Sequence, residues 1–483
     1  MNWLITENKK RVNINEIPVL NIVELRLEII KLSKRVIGFF GKKENDKVRL
    51  FVVMADDSEG KLYISSSIFE NDVKEYESLT QVIPAFHMYE REFYEEFGIK
   101  PLNHPWLKPV RDHKTEYKFF EMDGEEVHQV AVGPIHAGVI EPGHFRFMCH
   151  GEKIYDLEIQ LGWQHRGVED LMLSQPSNQL AESICGDSVI AHNLAYSNAI
   201  EALSGVEITN KAQLIRLIAL EMERSAIHIG DLGAIAGDIA YLMGASIFGA
   251  TRTLVINTML EISGSRFGRG LITTGGVNYD IDKQLSEKIV SVLNKVSADV
   301  ERTIKTMLKA PTVASRLEKT GVVSEEQAKS LGLVGMAAKA SGVNLDTRFD
   351  FPDKWYQDVE NRTIKAEGDV YSRTRLRYKE IKQSFHIIKK FLKKLEEFEG
   401  EQLQIELSQL QSNSFVVSIT EGWRGEVVHI AMTDEQGNLS RYKIKDPSFN
   451  NWFALAMAVR NNGISDFPLC NKSFNLSYCG NDL

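Results

Sequence analysis

The sequence is poor in cysteine. Its 483 residues contain four cysteines, Cys149, Cys185, Cys470 and Cys479, and no Cys-x-x-Cys pair. Four thiols are too few to cross-link a chain of this length, and an iron–sulfur cluster requires several thiolates at close spacing. The composition therefore predicts a protein of a reducing compartment, with the cytoplasm as the default, that binds no iron–sulfur cluster of its own.

A basic excess and a long apolar run are also missing. The 57 basic and 66 acidic side chains give a net charge of −9, which argues against nucleic acid as a partner because neutralising phosphates requires positive charge. The most apolar uncharged stretch near the middle of the chain, residues 239–251, is shorter than the ~20 residues that span a bilayer. The start of the chain reaches Glu7 before an apolar signal core can form. We expect neither a membrane span nor a secretory signal.

Nucleotide-binding motifs are absent as well. No Gly-x-Gly-x-x-Gly follows a predicted strand, and no Gly-x-x-x-x-Gly-Lys-Ser/Thr sequence occurs. These two motifs supply the backbone cradles that hold the phosphates of dinucleotides and nucleoside triphosphates. Any nucleotide chemistry is therefore expected in a partner.

The residues that are present divide the chain into two regions. Residues 1–118 predict a small α/β domain, residues 119–129 a polar linker, and residues 130–483 a mainly helical domain with small β-sheets, so the predicted fold class is α+β. The expected elements are helices over 19–34, 184–204, 213–229 and 369–399, strands over 48–54 and 61–66, and a hairpin of 415–419 with 427–434 around a turn at 422–425.

Two of the predicted helices carry polar stripes. In the helix over 184–204, Cys185, Ser188 and His192 would lie at i, i+3 and i+7 and share one face. This face is either a remnant of a functional pocket or a satisfied polar network of the core. In the helix over 213–229, composition favours a solvated face for the second stripe, which consists of Glu221, Arg224 and His228.

Longer motifs resemble a known family. The run Glu90–Ile99 with His104-Pro105 resembles the 30-kilodalton peripheral subunit of respiratory complex I. The rest of the chain resembles the large subunit that complex I shares with membrane-bound [NiFe]-hydrogenases, in a form most like the formate hydrogenlyase and hydrogenase-4 catalytic components. Its landmarks are Gly133-Pro134-Ile135-His136, Glu141-Pro142-Gly143-His144-Phe145-Arg146, His165-Arg166-Gly167-Val168-Glu169, Glu221-Met222-Glu223-Arg224, Gly275-Gly276-Val277, Gly368-Asp369-Val370-Tyr371 and Gly422-Trp423-Arg424-Gly425-Glu426.

The sequence departs from this family at the metal ligands. The resemblance implies two Cys-x-x-Cys pairs whose soft thiolates hold nickel and iron. Here the corresponding positions hold Cys185, Ser188, Ser477 and Gly480, and Cys479 stands one residue out of register. We expect the two remaining thiols to be too scattered to build the bimetallic centre, so a nickel–iron centre is predicted to be absent and the chain to bind no cofactor alone.

The quinone site of complex I is only partly matched. In that enzyme an aspartate–tyrosine pair stands where this chain has Cys185-Gly186, so the tyrosine that bonds the quinone headgroup is missing. Its partner histidine is best matched by His144. With His136, this residue marks a possible pocket for quinone or another acceptor.

Other residues take their expected roles from the resemblance. Glu141 matches the carboxylate that gates protons beside the metal centre, and Arg424 matches the arginine suspended over it. With Cys185 and His192, these two residues form the predicted catalytic set. The alternative for each charged residue is an ordinary surface ion pair.

A further set is expected to face a partner. His165 and Arg166 match residues that lie against the terminal iron–sulfur cluster of the neighbouring complex I subunit, and Glu169 is a nearby carboxylate. The expected partners are a small four-cysteine iron–sulfur subunit and membrane antiporter-like subunits. The electron acceptor is left open: quinone, a sulfur compound and a purely coupling role without an acceptor are the alternatives.

The resemblance implies one of several functions. The first is the large peripheral subunit of a complex I-like or hydrogenase-4-like oxidoreductase, on the cytoplasmic face of the inner membrane, which couples electron transfer to ion translocation. The alternatives are a structural subunit of such a complex, or a quinone oxidoreductase subunit with a divergent quinone site. The missing thiolates argue against an active [NiFe]-hydrogenase.

Overall fold

A computed structural model describes residues 2–136, 141–359 and 365–483. The strands are β1 (Leu4–Thr6), β2 (Val12–Asn13), β3 (Val19–Leu20), β4 (Arg35–Glu44), β5 (Lys47–Asp56), β6 (Lys61–Phe69), β7 (Glu75–Glu77), β8 (Lys100–Leu102), β9 (Val127–Val132), β10 (His144–His150), β11 (Lys153–Gln160), β12 (Ile272–Thr273), β13 (Gly276–Val277), β14 (Ser414–Glu421), β15 (Glu426–Thr433) and β16 (Leu439–Lys445). The helices are α1 (Ile22–Leu32), α2 (His87–Phe97), α3 (Val168–Ser174), α4 (Asn178–Ser183), α5 (Val189–Ser204), α6 (Asn210–Asp238), α7 (Leu242–Ser263), α8 (Lys283–Lys309), α9 (Pro311–Leu317), α10 (Glu325–Ser330), α11 (Gly335–Ala340), α12 (Thr347–Asp350), α13 (Val370–Leu395), α14 (Pro447–Ala458), α15 (Phe467–Phe474) and α16 (Tyr478–Asp482).

The N-terminal region is a twisted sheet covered by two helices. Its strand order is β1-β6-β5-β4, with β3 pairing in parallel with β6. Helix α1 begins at Asn21, whose side chain accepts a hydrogen bond from the Glu24 amide. The expected helix and both expected strands are present. Strand β4 was not expected, because glycines interrupt its apolar run; Gly41 is needed there because a Cβ would collide with the Phe97 ring.

The two regions share a core. Strand β2 pairs with β14, so that the sheet of order β16-β15-β14-β2 contains strands from both regions of the chain. Its apolar face packs on the N-terminal sheet, where the rings of Phe51 and Phe415 lie 5.9 Å apart. This shared core fixes the two regions against one another, since separating them would expose the apolar faces of both sheets.

The helical region is organised around α6. Thr209 caps its start, and side chains 214–229 are buried, because α5, α7, α13 and α15 contact it. Together with the small sheet of order β11-β10-β9, these helices complete the predicted α+β fold, which is confirmed. Within the described ranges, no helix combines the length and apolar character that crossing a bilayer requires.

Helix α5 corrects one expectation. The helix predicted over 184–204 begins only at Val189, because the buried carboxyl of Glu223 accepts a hydrogen bond from the Ile190 amide at 2.7 Å and so caps the helix there. Cys185 lies in the turn before the helix, so it cannot share a helical face with Ser188 and His192.

The segment that connects the two regions is anchored to β11. Lys108 donates to Glu158 at 3.2 Å and to the Ile159 carbonyl at 2.8 Å, and the Phe120 amide donates to the same carboxylate at 2.8 Å. Regular structure resumes at Val127, where β9 begins within the predicted linker. Glu158 therefore holds the connection from both sides.

Candidate functional site

The centre of the candidate site is the turn that carries Cys185. Asp187, in this turn, receives two hydrogen bonds from Arg424, at 2.6 and 2.7 Å. The guanidinium also lies 3.9 Å from the centre of the Trp423 ring and 3.4 Å from the Cys185 sulfur. Although burial disfavours its charged form, the Asp187 carboxylate outweighs that effect and raises the pKa of Arg424. The arginine is thus a fixed cation above the Cys185 thiol.

Two of the four cysteines meet here. The Ser477 hydroxyl lies 3.2 Å from the Cys185 sulfur and 3.5 Å from the Cys479 sulfur, so one hydroxyl contacts both thiols. The expectation that these thiols are scattered is wrong, because α16 places the end of the chain against the Cys185 turn. Sequence separation gave no hint of this contact.

The remaining ligand positions do not fit a bimetallic centre. Ser188 and Ser477 offer hydroxyls where the resemblance requires thiolates, and a Cβ on Gly480 would lie 2.7 Å from the Asp446 carboxyl carbon. A cysteine at 480 would therefore have to displace Asp446. Within the described ranges, no group of three or more histidine, cysteine, aspartate or glutamate side chains is arranged to hold a metal ion.

Behind the thiols lies a buried chain of polar side chains. His192 contacts Asp446 at 3.1 Å through Nε2 and His429 at 3.2 Å through Nδ1, and His429 contacts the Tyr442 hydroxyl at 2.8 Å. Burial and the neighbouring His192 lower the pKa of His429 well below its usual value, so His429 is neutral near pH 7. His192 thus has a hydrogen-bond partner at each ring nitrogen.

Glu141 borders the same thiols. The residue is half-buried. The negative charge of its carboxylate disfavours ionisation of Cys479 and of the buried Tyr478, which both belong to α16. Glu141 therefore lies close to the Cys479 thiol, and its role as a proton-carrying carboxylate stays a prediction.

The two histidines of the possible acceptor pocket hold a loop together. His136 contacts the Gly143 carbonyl at 3.2 Å, and His144 contacts the Gly133 carbonyl at 2.9 Å. Each ring thus bridges the two arms of the loop and uses one nitrogen in doing so. Among the residues that the structure describes, the other nitrogen of each ring has no hydrogen-bond partner.

The loop expected to face a partner is exposed. Arg166 donates to the carbonyls of Ser183 at 2.8 Å, Ile184 at 3.0 Å and Cys479 at 3.4 Å. His165 contacts the Asp482 carbonyl at 2.8 Å. The loop therefore joins the Cys185 turn to α16 while remaining at the surface.

Glu169 lies further from that surface. It accepts hydrogen bonds from the Ile444 amide and from Lys443, both at 2.9 Å, and Lys443 also pairs with Glu92 of α2 at 2.8 Å. The carboxylate thus braces α3 and β16 against the N-terminal region.

The stripe on α6 corrects another expectation. Glu221, Arg224 and His228 are at most 1% exposed, so a solvated face is wrong. Glu221 pairs with Arg348 at 3.0 Å, and His228 pairs with Glu380 at 2.8 Å. Partners from other elements neutralise the stripe, and neither residue periodicity nor composition reveals such partners.

The network extends to the site. Arg224 donates to the carbonyl of Glu421 at 2.6 Å and that of Gly422 at 2.9 Å, which fixes the turn before Arg424. Asn475, whose carbonyl accepts a hydrogen bond from Arg424, donates to Asp231 at 2.7 Å. The cation above Cys185 is thus held by buried charges on α6.

Sequence reasoning missed several site residues. Asp187 lies two residues after Cys185 and had no assigned role, although a buried arginine requires a counter-charge. Asp446, followed by proline, is typical of a helix start, and it does cap α14. Its bond to His192, and the roles of His429 and Tyr442, had no local signal.

Comparisons with known proteins follow the same division of the chain. A family model for the 49 Kd subunit of the respiratory-chain NADH dehydrogenase matches residues 238–414, and one for its 30 Kd subunit matches residues 30–119. Formate hydrogenlyase subunit 5 of Escherichia coli (strain K12) is 27% identical over 91% of this chain and 83% of its own length. Hydrogenase-4 component G of the same strain is 27% identical over 92% of this chain and 83% of its own length. Membrane-bound hydrogenase subunit alpha of Pyrococcus furiosus is 29% identical over 71% of this chain and 85% of its own length. The expected resemblance is confirmed.

Proposed function

We propose that this chain, which joins the 30 Kd and 49 Kd subunit families of the respiratory-chain NADH dehydrogenase, is the large peripheral subunit of a membrane-associated oxidoreductase. It receives electrons from an iron–sulfur cluster of a small four-cysteine partner. The chain lies on the cytoplasmic face of the inner membrane and couples this electron transfer to antiporter-like, ion-translocating subunits.

The observation that carries this proposal is the exposed His165–Arg166 loop. A guanidinium at a protein surface favours a neighbouring cluster in its reduced, more negative state. Because Arg166 also bonds the carbonyls of Ile184 and Cys479, the same side chain joins the partner surface to the segments that hold both thiols. Similar proteins are themselves named as subunits or components, which supports a role within an assembly.

The reaction does not pass through a nickel–iron centre in this proposal. One thiol in ligand register, two hydroxyls and the crowded Gly480 position argue against that centre. The groups proposed to serve an acceptor are Glu141, which can move a proton, and His136 and His144. Within the described residues, each histidine uses only one ring nitrogen in a hydrogen bond. Quinone and sulfur compounds both suit such donors.

Redox titration of the assembled complex, followed by electron paramagnetic resonance, tests the proposal. Arg166→Ala should lower the midpoint potential of the partner's terminal cluster while the complex stays assembled. Arg302→Ala serves as the matched control, because Arg302 is an exposed arginine on α8 that pairs with Asp299 of the same helix. Equal potentials in the wild type and Arg166→Ala, or a stable and fully active monomer, would contradict the proposed interface.

A further inference from the structure

We propose that Cys185 and Cys479 form a redox-active dithiol that is oxidised by low-molecular-weight disulfides and closes into an internal disulfide. This proposal goes beyond electron transfer from a partner and does not depend on it. It concerns only the two thiols and the groups around them.

The first support is proximity. The Ser477 hydroxyl contacts both sulfur atoms, at 3.2 Å for Cys185 and 3.5 Å for Cys479. Cys149 in β10 and Cys470 in α15 are both buried, and the Cys470 sulfur lies against the Gly321 backbone rather than in this site. A disulfide requires two sulfur atoms in close approach, and Cys185 and Cys479 are the two thiols that flank the same hydroxyl.

The second support is that the two segments are held together. Arg166 donates to the carbonyl of Ile184, next to Cys185, and to the carbonyl of Cys479. The amide of Arg166 donates to the Leu483 carbonyl at 2.6 Å, which ties the end of α16 to the same loop. The thiols are therefore presented by two tethered segments rather than by chance contact of mobile ends.

The third support is that the two thiols differ in exposure. Cys185 is 1% exposed, whereas Cys479 is only partly buried and is therefore the thiol that a small molecule reaches first. Cys479 is therefore the attacking group and Cys185 the resolving one.

The chemistry proceeds in two exchanges. The Cys479 thiolate attacks one sulfur of the small disulfide, forming a mixed disulfide and releasing one thiolate. Cys185 then attacks the Cys479 sulfur, which closes the internal disulfide and releases the second thiolate. The two protein thiols lose two protons and two electrons, and the small disulfide becomes two thiols.

Neighbouring groups assist the second exchange. The Cys185 thiol donates a hydrogen bond to Asp187 at 3.1 Å, so that carboxylate can accept its proton. The Arg424 guanidinium, 3.4 Å from the same sulfur, stabilises the resulting thiolate. The groups needed to activate a buried thiol are thus already in contact with it.

Mass spectrometry of the reduced full-length chain after treatment with bis(2-hydroxyethyl) disulfide tests the proposal. We expect a mass lower by two hydrogen atoms, a cross-linked peptide pair containing Cys185 and Cys479, and reversal by dithiothreitol. An unchanged mass with all four thiols free, or modification at Cys149 or Cys470, would overturn the proposal. This readout uses the wild-type chain and does not depend on any variant folding.

Serine variants test the order of attack. Cys185→Ser should stop at a mixed disulfide on Cys479, and Cys479→Ser should lose thiols at least about tenfold more slowly than the wild type. Cys470→Ser is the matched control and should close the internal disulfide as the wild type does. Rapid modification of Cys185 in the Cys479→Ser chain would show that the assigned roles are wrong.

Discussion

Arg424 donates from both terminal nitrogens to the Asp187 carboxylate, at 2.6 and 2.7 Å, while its guanidinium stacks on Trp423. These contacts hold one positive charge beside the Cys185 sulfur. A charge fixed in this way can stabilise a developing anion without first rearranging. The pair therefore links the stability of the Cys185 turn to the chemistry of the site.

Two substitutions of Arg424 distinguish the effect of its positive charge from the effect of its paired hydrogen bonds. Arg424→Ala should abolish most turnover of the assembled complex and lower the free energy of unfolding by about 2 kcal/mol, less than for a fully buried pair because Asp187 is partly exposed. Arg424→Lys keeps the charge but not the paired hydrogen bonds, so it should recover only part of the activity. Steady-state kinetics and urea unfolding measure both effects. Full activity of Arg424→Ala would mean that the site is a relic.

The carboxylate of Glu141 is expected to carry protons. Glu141→Gln removes the proton-accepting group at nearly constant volume, so turnover or coupling should fall by roughly 10- to 1,000-fold while the complex stays assembled. Glu126→Gln is the control, because Glu126 is an exposed carboxylate that pairs with His150. The assigned role fails if both variants keep wild-type rates.

The purified complex is expected to contain no stoichiometric nickel in this chain. Only Cys185 retains a thiol at a ligand position, and hydroxyls at Ser188 and Ser477 are poor ligands for nickel. Elemental analysis of the complex, together with a hydrogen-uptake assay, tests this expectation. One nickel per chain accompanied by hydrogen uptake would contradict it.

The stability of the buried ion-pair network around α6 should depend on each of its charges. Lys339 pairs with Glu380 and, at 3.1 Å, with Asp346. Lys339→Met leaves these carboxylates short of positive charge, and the free energy of unfolding should fall by about 3–5 kcal/mol. Lys305→Met on the exposed face of α8 breaks only a surface pair with Glu301 and should cost less than about 1 kcal/mol. Equal urea midpoints for the two variants would show that the buried carboxylates do not depend on Lys339.

The free energy of unfolding should depend on pH through Lys108. Burial lowers its pKa from 10.5 to about 8 despite the pair with Glu158. Between these values the unfolded chain holds a proton that the folded chain has lost, so raising the pH favours folding. The stability of the wild type relative to Lys108→Met should therefore rise between pH 8 and 10, by at most roughly 3 kcal/mol at about 1.36 kcal/mol per pKa unit. Urea unfolding at several pH values measures this difference, and Lys47→Met, which breaks an exposed pair with Glu70, is the surface control.

Local patterns in the sequence were sufficient for much of the fold. Helix α13 and the hairpin of β14 and β15 lie where apolar periodicity and the glycine turn predict them. Adjacent residues govern such elements, through caps, turns and the spacing of apolar side chains, so a short window contains the necessary information. The family motifs likewise predicted the resemblance to two subunit families, which the comparisons confirm.

The start of α5 shows where local patterns fail. Sequence alone extended the helix back to Ile184, but the carboxyl of Glu223 on α6 caps it at Val189. Helix propensity near a terminus is weak enough for one tertiary hydrogen bond to set the boundary.

The site itself was decided by tertiary structure. Sequence alone identified Cys185, Arg424 and Glu221 as residues of interest, but not what each contacts. Cys185 meets Cys479 because α16 packs on the Cys185 turn, and Glu221 is buried because Arg348 neutralises it. Periodicity reveals which residues share a face, whereas the burial and charge partners of that face depend on elements far away along the chain. A polar stripe is therefore ambiguous in sequence and becomes a buried ion-pair network only when the opposing charges pack against it.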